Sequence, residues 1–309
     1  MAEITHSAFR RLLADFGGYG ALFTEMLSAK ALLREDPALS PYVKKRPNEG
    51  QLFYQILING SEPLEAIAER LTAWGAAGLD INCACPAPAI KALRAGAFLF
   101  EDRVRLAQTL QTIRRCFSGP LTVKIRLGHN QPGWPEQLRE RLQLLEDHGV
   151  DALTLHPRFR DEKLKRSARH TWLPWVAAQC RLPLIANGDI TGPAYVQARA
   201  DCFAAAAGLM IGRQAVVQPW IFAQWHQARA VDHAAIWERL CQYTYEDFQP
   251  RQALIRMKIF TTYYARNFVW GHSLFKAVQR ARDLTALRTA AQEFFSGAAS
   301  LVPPRAASR

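Results

Sequence analysis

Two cysteines and a proline end a short apolar segment of the sequence, 79-LDINCACP-86. Cys83 lies within the apolar run, where a free cysteine usually packs as a small hydrophobic residue. Cys85 directly precedes Pro86, and a residue before proline adopts extended backbone, which ends a strand and places the thiol in the next loop. A thiol with an ordinary pKa of about 8.5 is mostly protonated at neutral pH, so Cys85 could serve as a general acid or as a nucleophile.

Metal and disulfide chemistry are not expected for these thiols. The six cysteines are scattered, they form no CxxC pair, and no histidine stands at ligand spacing from Cys83 and Cys85. Zinc sites need such spacing, and scattered cysteines in a reducing compartment stay as thiols. The N-terminal residues lack the apolar core of a signal peptide, and no apolar run approaches the ~18 residues of a membrane span. We therefore expect a cytoplasmic protein without a metal and without a membrane partner. Separately, we expect it to be a monomer.

Apolar segments alternate with amphipathic ones along most of the chain, which predicts a parallel sheet with crossover helices. Two of the predicted helices are 63–75, with Ser61 as N-cap, and 138–148, closed by Gly149. The predicted strands are 21–24, 52–58, 79–83, 121–125, 152–155, 183–186 and 208–211.

Seven strands suffice for an open doubly wound sheet, whereas a closed (β/α)₈ barrel needs eight. If the fold is a barrel, its first strand is expected upstream of Met1. Either arrangement would bind its ligand at the carboxyl ends of the strands.

Polar or ionisable residues stand at almost every one of those ends, as expected of an active site. Lys124 ends an apolar strand, where its charge is costly to bury without an anion or an electron-rich ring, although a structural ion pair is an alternative. The segments NGDITG and IGRQ supply glycines and an arginine that suit a phosphate, although ordinary glycine turns would show the same sequence pattern. The residues at these ends are Glu25, Met26, Asn59, Asn82, Cys83, Cys85, Lys124, Arg126, His156, Arg158, Asn187, Gly188, Asp189, Gly212 and Arg213, and Gln55 lies within the second strand.

The C-terminal part of the chain has a different pattern. From residue 235 to 309 it contains no strand signal and reads as four helices, 236–245, 251–267, 272–282 and 284–295, followed by the tail LVPPRAASR, which is expected to be disordered. The chain has a net charge of +12, of which residues 158–169 carry +4 and residues 249–309 carry +8. This distribution predicts a barrel domain over 1–230, a basic helical domain over 235–309, and a polyanionic partner such as nucleic acid, although charge alone equally fits a solvated basic surface.

Taken together, these segments resemble the tRNA-dihydrouridine synthases, flavoenzymes with an FMN-binding (β/α)₈ barrel and a C-terminal helical tRNA-binding domain. The resemblance extends over nearly the whole chain, and its specificity comes from the order and spacing of many segments. They are MAEITHSAFR, TEM, the strand with Gln55, DINCACP followed by GAFLF, VKIRLG, the histidine of LHPRFR, ANGDI and MIGRQAVVQPWIF.

The resemblance implies both a reaction and the residues that perform it. NADPH reduces FMN, reduced FMN gives hydride to C6 of a uracil flipped out of a tRNA, and a cysteine protonates C5. The family's catalytic cysteine directly precedes the proline, so Cys85 is the expected acid and Cys83 a neighbour. The resemblance further implies cofactor contacts from Met1, Gln55, Lys124, His156, Asn187, Gly188, Asp189, Gly212 and Arg213, and substrate contacts from Asn82, Arg126 and Arg158.

Three features depart from the family pattern. The first barrel strand and the proline that precedes the Met1 position are absent from this sequence, Ala84 replaces a glycine, and His156-Pro157-Arg158-Phe159 replaces His-Gly-Arg-Thr. An alanine held at positive φ would cost roughly 1 kcal/mol or more. Two other functions therefore stay open: an FMN barrel reductase of small molecules, and a flavin-less RNA-binding relic of the family.

Overall fold

A computed structural model of the protein describes residues 1–162, 166–225, 227, 230–297 and 300–302. In these ranges the strands form a single sheet in which all pairings are parallel. The strands are β1 (Leu22–Phe23), β2 (Leu27–Ser28), β3 (Leu52–Leu57), β4 (Gly78–Cys83), β5 (Leu121–Arg126), β6 (Ala152–His156), β7 (Leu184–Asn187) and β8 (Gly208–Met210). All seven predicted strands are confirmed. The sequence reading missed β2, which pairs with β3 beyond β1 and continues the same edge of the sheet.

Helices connect the parallel strands, as crossover connections must. The helices are α1 (Ser7–Phe16), α2 (Ala29–Leu32), α3 (Leu64–Ala73), α4 (Pro88–Ala92), α5 (Ala97–Glu101), α6 (Arg103–Cys116), α7 (Trp134–Asp147), α8 (Leu173–Ala177), α9 (Pro193–Gln197), α10 (Ala200–Phe203), α11 (Arg213–Val217), α12 (His233–Asp247), α13 (Pro250–Tyr264), α14 (Gly271–Arg280) and α15 (Leu284–Ser296). Apart from the short β2, strands and helices alternate as in a barrel of the (β/α)₈ type, which confirms the predicted α/β fold.

The N-terminal residues lie between the two edge strands of the sheet. Within the described chain the ladder runs from β1 to β8 and no pairing joins those two strands. The backbone N–H of Glu3 donates to Glu25, which follows β1, at 2.5 Å. The sulfur of Met1 lies 3.6 Å from where a Cβ on Gly212 would stand, just beyond β8. Residues 1–3 therefore contact both edges of the sheet at the carboxyl ends of its strands. This end of the sheet is called its mouth below.

The predicted helix ends were partly wrong. Ser61 does not cap α3, since Pro63 occupies the N-cap position and makes no side-chain cap bond. The Glu62 carboxylate instead accepts from the backbone N–H groups of Asn59 and Gly60, which holds the turn before the helix. Gly149 does follow α7 as predicted, with a φ of +72° that suits glycine.

The four C-terminal helices, α12 to α15, pack against one another, and α12 and α13 also contact α1. His6 contacts Phe248 edge-on with ring centroids 4.9 Å apart, and the rings of Phe9 and Phe260 lie 6.2 Å apart. Because these helices share buried contacts with α1, their separation as a domain stays a prediction. The backbone N–H of Val302 donates to Asn267, so the predicted disordered tail begins with an ordered contact, while residues 303–309 lie outside the described residues. None of the described helices is long and apolar enough to cross a membrane.

A buried ion pair holds α1 against the loop before β3. Arg10 and Glu49 are both 0% exposed, and Arg10 Nε lies 2.9 Å from Glu49 Oε2. The remaining guanidinium nitrogens of Arg10 donate to the carbonyl groups of Thr5 and Lys44. A buried cation that is satisfied in this way becomes costly once its carboxylate is removed.

We expect Glu49→Ala to lower the free energy of unfolding by about 3–5 kcal/mol, because it leaves the Arg10 charge buried without a counterion. Glu140→Ala is the matched control, since Glu140 pairs with Arg103 on the surface and its side chain is 53% exposed. That control should cost no more than about 1 kcal/mol. Urea unfolding of both variants makes the comparison, and equal losses would contradict the role of the buried pair.

Candidate active site

Strand register brings the predicted polar residues into layers at one end of the sheet. Gln55 pairs with Asp80 across the β3–β4 ladder, and Asn82 pairs with Lys124 across the β4–β5 ladder. Side chains two residues apart share a face of a strand, so Asp80 and Asn82 point the same way. The next layer pairs Arg126 with His156.

A hydrogen-bond network joins the first two layers. The buried carboxylate of Asp80 accepts from Gln55 Nε2 at 2.7 Å and from the Thr122 hydroxyl at 2.6 Å. Gln55 Oε1 accepts from Asn82 Nδ2 at 2.9 Å. Burial raises the pKa of Asp80 to about 6, while the bonds from Thr122 and Gln55 and the charge of Lys124 oppose that shift. At neutral pH the carboxylate is therefore mostly ionised.

Hydrogen bonds hold both the backbone N–H and the backbone carbonyl of Cys85. Asn82 Oδ1 accepts from the N–H groups of Ala84 and Cys85 at 3.1 and 3.0 Å, and the Cys85 carbonyl accepts from the N–H of Ala97 at 3.1 Å. Gly96 permits this approach, because a Cβ there would lie 2.7 Å from the Cys85 carbonyl oxygen. Cys85 is half-buried at the end of β4, as the sequence predicts.

The sequence raised two further points about this loop: whether Cys83 packs in the core and whether Ala84 is held at a positive φ. Cys83 is fully buried, and burial raises its thiol pKa well above the ordinary value, so it packs in the core as predicted. Ala84 has no positive φ, so the strain that an alanine could have suffered at that position does not arise.

Lys124 and Arg126 place positive charge beside this loop. Burial lowers the pKa of Lys124 to about 8, with Asp80 opposing the shift. No ion pair or hydrogen bond to Lys124 Nζ occurs among the described residues, which disfavours a structural ion pair as its role. Arg126 donates through Nη1 to the carbonyl groups of Phe159 and Glu162, and its Nε, which is buried, has no partner in the described chain. The two side chains leave donor capacity for an anionic or electron-rich ligand.

His156 is held as a neutral ring. Arg158 Nη1 donates to His156 Nε2 at 2.7 Å, and since a guanidinium only donates, the His156 proton must be on Nδ1. Burial, followed by the charges of Lys124, Arg126, Arg158 and Arg213, lowers the pKa of His156 to about 2. His156 is therefore unsuited to act as a cationic acid at neutral pH.

Asp189 connects this histidine to the two glycine turns. Its carboxylate accepts from Arg158 Nη2 at 2.6 Å, from Arg213 Nη2 at 2.7 Å and from the N–H of Ala168 at 2.8 Å. Burial opposes ionisation, but the bonds from Ala168 and Arg158 hold the pKa of Asp189 below its ordinary value. Asp189 has a φ of +48°, and the residue before it is Gly188 with a φ of +102°.

The two turns leave backbone donors available. In the described parts of the chain, the N–H groups of Gly188, Asp189, Gly212 and Arg213 have no hydrogen-bond partner. A Cβ on Gly188 would lie 2.6 Å from His156 Cδ2, so only glycine fits there. Backbone N–H groups without a partner, next to a guanidinium such as that of Arg213, are donors of the kind that bind an anion.

Most of the predicted site residues meet at this mouth of the sheet. Arg158, however, is 2% exposed, and its donors are used by His156, Asp189 and the carbonyl of Arg166, so its contacts are internal. Asn187 Nδ2 donates to the carbonyl of Met210 and thereby ties β7 to β8.

The predicted basic loop of residues 158–169 is only partly described, since 163–165 lie outside the described residues. Glu162 pairs with Arg169 and Arg166 in that loop, and Arg160 pairs with Glu101. Its positive charge is therefore partly neutralised from within the protein.

Sequence reasoning missed three residues of the site, Asp80, Thr122 and His170. Asp80 and Thr122 stand two residues before Asn82 and Lys124, so period-two alternation along β4 and β5 could have identified them. His170 could not be identified in this way. It lies in a turn before α8, and its Nε2 is 2.9 Å from the Gly188 carbonyl.

The fold places the protein in the α/β barrel class. Its structure is similar to that of histamine dehydrogenase from Rhizobium sp. 4-9, with a TM-score of 0.55 and 12% identity over 83% of this chain and 46% of that chain. At this identity the likeness bears on the fold alone.

Sequence comparison defines the family. The family model described as "Dihydrouridine synthase (Dus)" matches residues 1–295 of this chain. The tRNA-dihydrouridine synthase B of Proteus vulgaris is 34% identical over 229 residues, which are 72% of this chain and 68% of that protein. The tRNA-dihydrouridine synthase B of Yersinia pestis is 35% identical over 228 residues, with the same coverage. The chain belongs to the dihydrouridine synthase family, as its sequence motifs predict.

The neutral state of His156 predicts a pH effect on stability. Between pH 6.5 and 2 the unfolded state binds a proton on this residue that the folded state does not, since the folded pKa is about 2 and the unfolded value about 6.5. As the pH falls from about 6 to 4, the wild type should therefore lose about 1.4 kcal/mol of unfolding free energy per pH unit relative to His156→Gln.

Urea unfolding of both proteins at several pH values measures this difference. Asp80, whose raised pKa has the opposite effect on stability, is present in both proteins and largely cancels. A difference that does not vary with pH would show that His156 is protonated in the folded protein.

Proposed function

We propose that the protein is an FMN-dependent tRNA-dihydrouridine synthase that uses NADPH to reduce the C5–C6 bond of uridine in tRNA. The observation that carries this proposal is the fixed position of Cys85 at the end of β4, next to the layer that holds Lys124. Family membership supports the reaction class, and the relatives named above are tRNA-dihydrouridine synthases.

The residues of the mouth fit an FMN molecule. Lys124 has no hydrogen-bond partner among the described residues, and it would stabilise negative charge on a reduced flavin ring. Gln55, Met1 and the neutral His156 would lie beside the ring. The N–H groups of Gly188, Asp189, Gly212 and Arg213, which no described residue pairs, would hold the ribityl chain and phosphate together with the Arg213 guanidinium and Asn187. FMN, when bound, supplies the hydride for C6 of the uracil.

The protein's own residues supply the proton and orient the base. A hydride at C6 leaves an electron pair at C5, and the Cys85 thiol transfers its proton there and becomes a thiolate. Asn82 and Arg126 would contact the uracil. The donors of Arg158 are occupied by other residues of the protein. Arg158 would therefore act on the substrate indirectly, by holding the His156 ring and the turn at Asp189.

A uracil must leave its stack to reach this mouth, which costs a few kcal/mol. The protein must therefore also bind the rest of the RNA. The C-terminal helices provide exposed positive charge for it. Five cations there, Arg251, Arg266, Lys276, Arg280 and Arg282, are exposed and make no ion pair with any described residue. A small-molecule reductase has no use for such a surface, so these residues favour a nucleic-acid substrate.

Cys85→Ala separates the two half-reactions. The variant should bind FMN and accept electrons from NADPH at the wild-type rate, because the thiol takes part only in protonation of C5. Its yield of dihydrouridine, measured by mass spectrometry of digested tRNA, should fall by about 10²-fold or more.

Cys83→Ala is the control, and its yield should be within a few-fold of wild type. A near-normal yield from Cys85→Ala would exclude Cys85 as the acid. Wild-type protein that binds flavin and reduces an enone, but not tRNA, would identify a small-molecule reductase. Protein that binds tRNA and never flavin would identify the RNA-binding relic.

The exposed cations should contribute to tRNA affinity through counterion release. Lys276→Ala/Arg280→Ala/Arg282→Ala should weaken tRNA binding and reduce the slope of log K against log salt by up to about 2–3, while flavin binding is unchanged. Arg288→Ala is the matched control, because Arg288 is on the neighbouring helix but pairs with Glu238. Filter binding at several salt concentrations makes the measurement, and an unchanged slope in the triple variant would remove these helices from the tRNA interface.

A further inference from the structure

Asp80 begins a directed series of hydrogen bonds that ends at the backbone of Cys85. Its oxygen accepts from Gln55 Nε2, Gln55 Oε1 accepts from Asn82 Nδ2, and Asn82 Oδ1 accepts from the N–H groups of Ala84 and Cys85. Asp80 is 0% exposed, so it cannot itself touch a ligand in the mouth.

The direction of this series follows from the chemistry of its first member. An ionised carboxylate only accepts hydrogen bonds, so Gln55 must turn its amino group toward Asp80. The oxygen of Gln55 then faces Asn82, which must answer with its own amino group. The oxygen of Asn82 is left for the two backbone N–H groups. In the reverse orientation, the Asn82 amino group would face two donors and no hydrogen bond could form.

We propose that Asp80 is a positioning residue for Cys85, which it orients through the carboxamides of Gln55 and Asn82. The importance of this positioning for catalysis rests on the proposed function, in which Cys85 is the acid. The series also explains how a charged group is held beneath the site without an ion pair to any described residue: its hydrogen-bond partners are the Thr122 hydroxyl and the Gln55 carboxamide, and both donate to it.

The reactivity of the Cys85 thiol, measured without RNA, tests the series directly. Purified variants are treated with iodoacetamide, and alkylation of Cys85 is followed by peptide mass spectrometry with the half-buried Cys116 on α6 as internal reference. Asp80→Ala should release the loop and raise the rate at Cys85 about tenfold relative to Cys116, the factor expected for losing a hydrogen bond to a charged group. Gln55→Met interrupts the next link and should have a similar effect, which covers the case in which Asp80→Ala does not fold.

Epistasis separates orientation from simple destabilisation. In an Asn82→Ala background, Asp80→Ala should change the Cys85 rate by less than about twofold, since the link to the loop is already broken. Thr154→Val on β6 is the matched control, because it removes a buried strand hydroxyl that has no hydrogen-bond partner among the described residues and leaves the series intact. Its Cys85 rate should match that of wild type.

Three results would overturn the proposal: an unchanged rate in folded Asp80→Ala or Gln55→Met, additive effects of Asp80→Ala and Asn82→Ala, or an equal effect of Thr154→Val. None of these measurements depends on tRNA or turnover. Failure of the proposed function would instead appear as dihydrouridine formation by Cys85→Ala or as its absence in wild type, so the two failures are distinguishable.

Discussion

The buried carboxylate of Asp80 is the constraint on which the mouth of the sheet depends. It is isolated from water, it is close enough to Lys124 to moderate the pKa of that side chain, and it receives two short hydrogen bonds. A buried charge is tolerated only when donors surround it. Gln55 and Thr122 meet this need, and in doing so they become fixed themselves, so that the inner layer of the site is ordered before any ligand arrives.

A second carboxylate organises the opposite side of the mouth. Asp189 accepts from two arginines and a backbone N–H, and one of those arginines also fixes the tautomer of His156. This arrangement keeps several positive charges close together while the histidine among them stays neutral. The mouth is therefore predominantly cationic. Most of its cations are held by hydrogen bonds, whereas Lys124 has no partner in the described part of the chain and keeps its donors for a ligand.

Local pattern predicted the order of elements well, and long-range contacts caused the errors. The seven strand predictions succeeded because each strand is a short, largely apolar run bounded by turn or amphipathic segments. The edge strand Leu27–Ser28 was missed because two residues carry no periodicity, and they pair only because β3 extends beyond its pairing with β1. The cap at Ser61 failed because Pro63 begins the helix later and Glu62 serves the turn.

By itself the sequence determined the class of fold, the edge of the sheet where the chemistry lies and the thiol that stands there, because these follow from apolar periodicity, from proline after Cys85 and from the polar strand ends. The tertiary structure decided how the polar groups share their hydrogen bonds. The direction of the carboxamides, the neutral state of His156 and the internal pairing of Arg158 depend on atoms from strands far apart in the chain. Burial assigns each of those atoms a partner, and no local pattern records that choice.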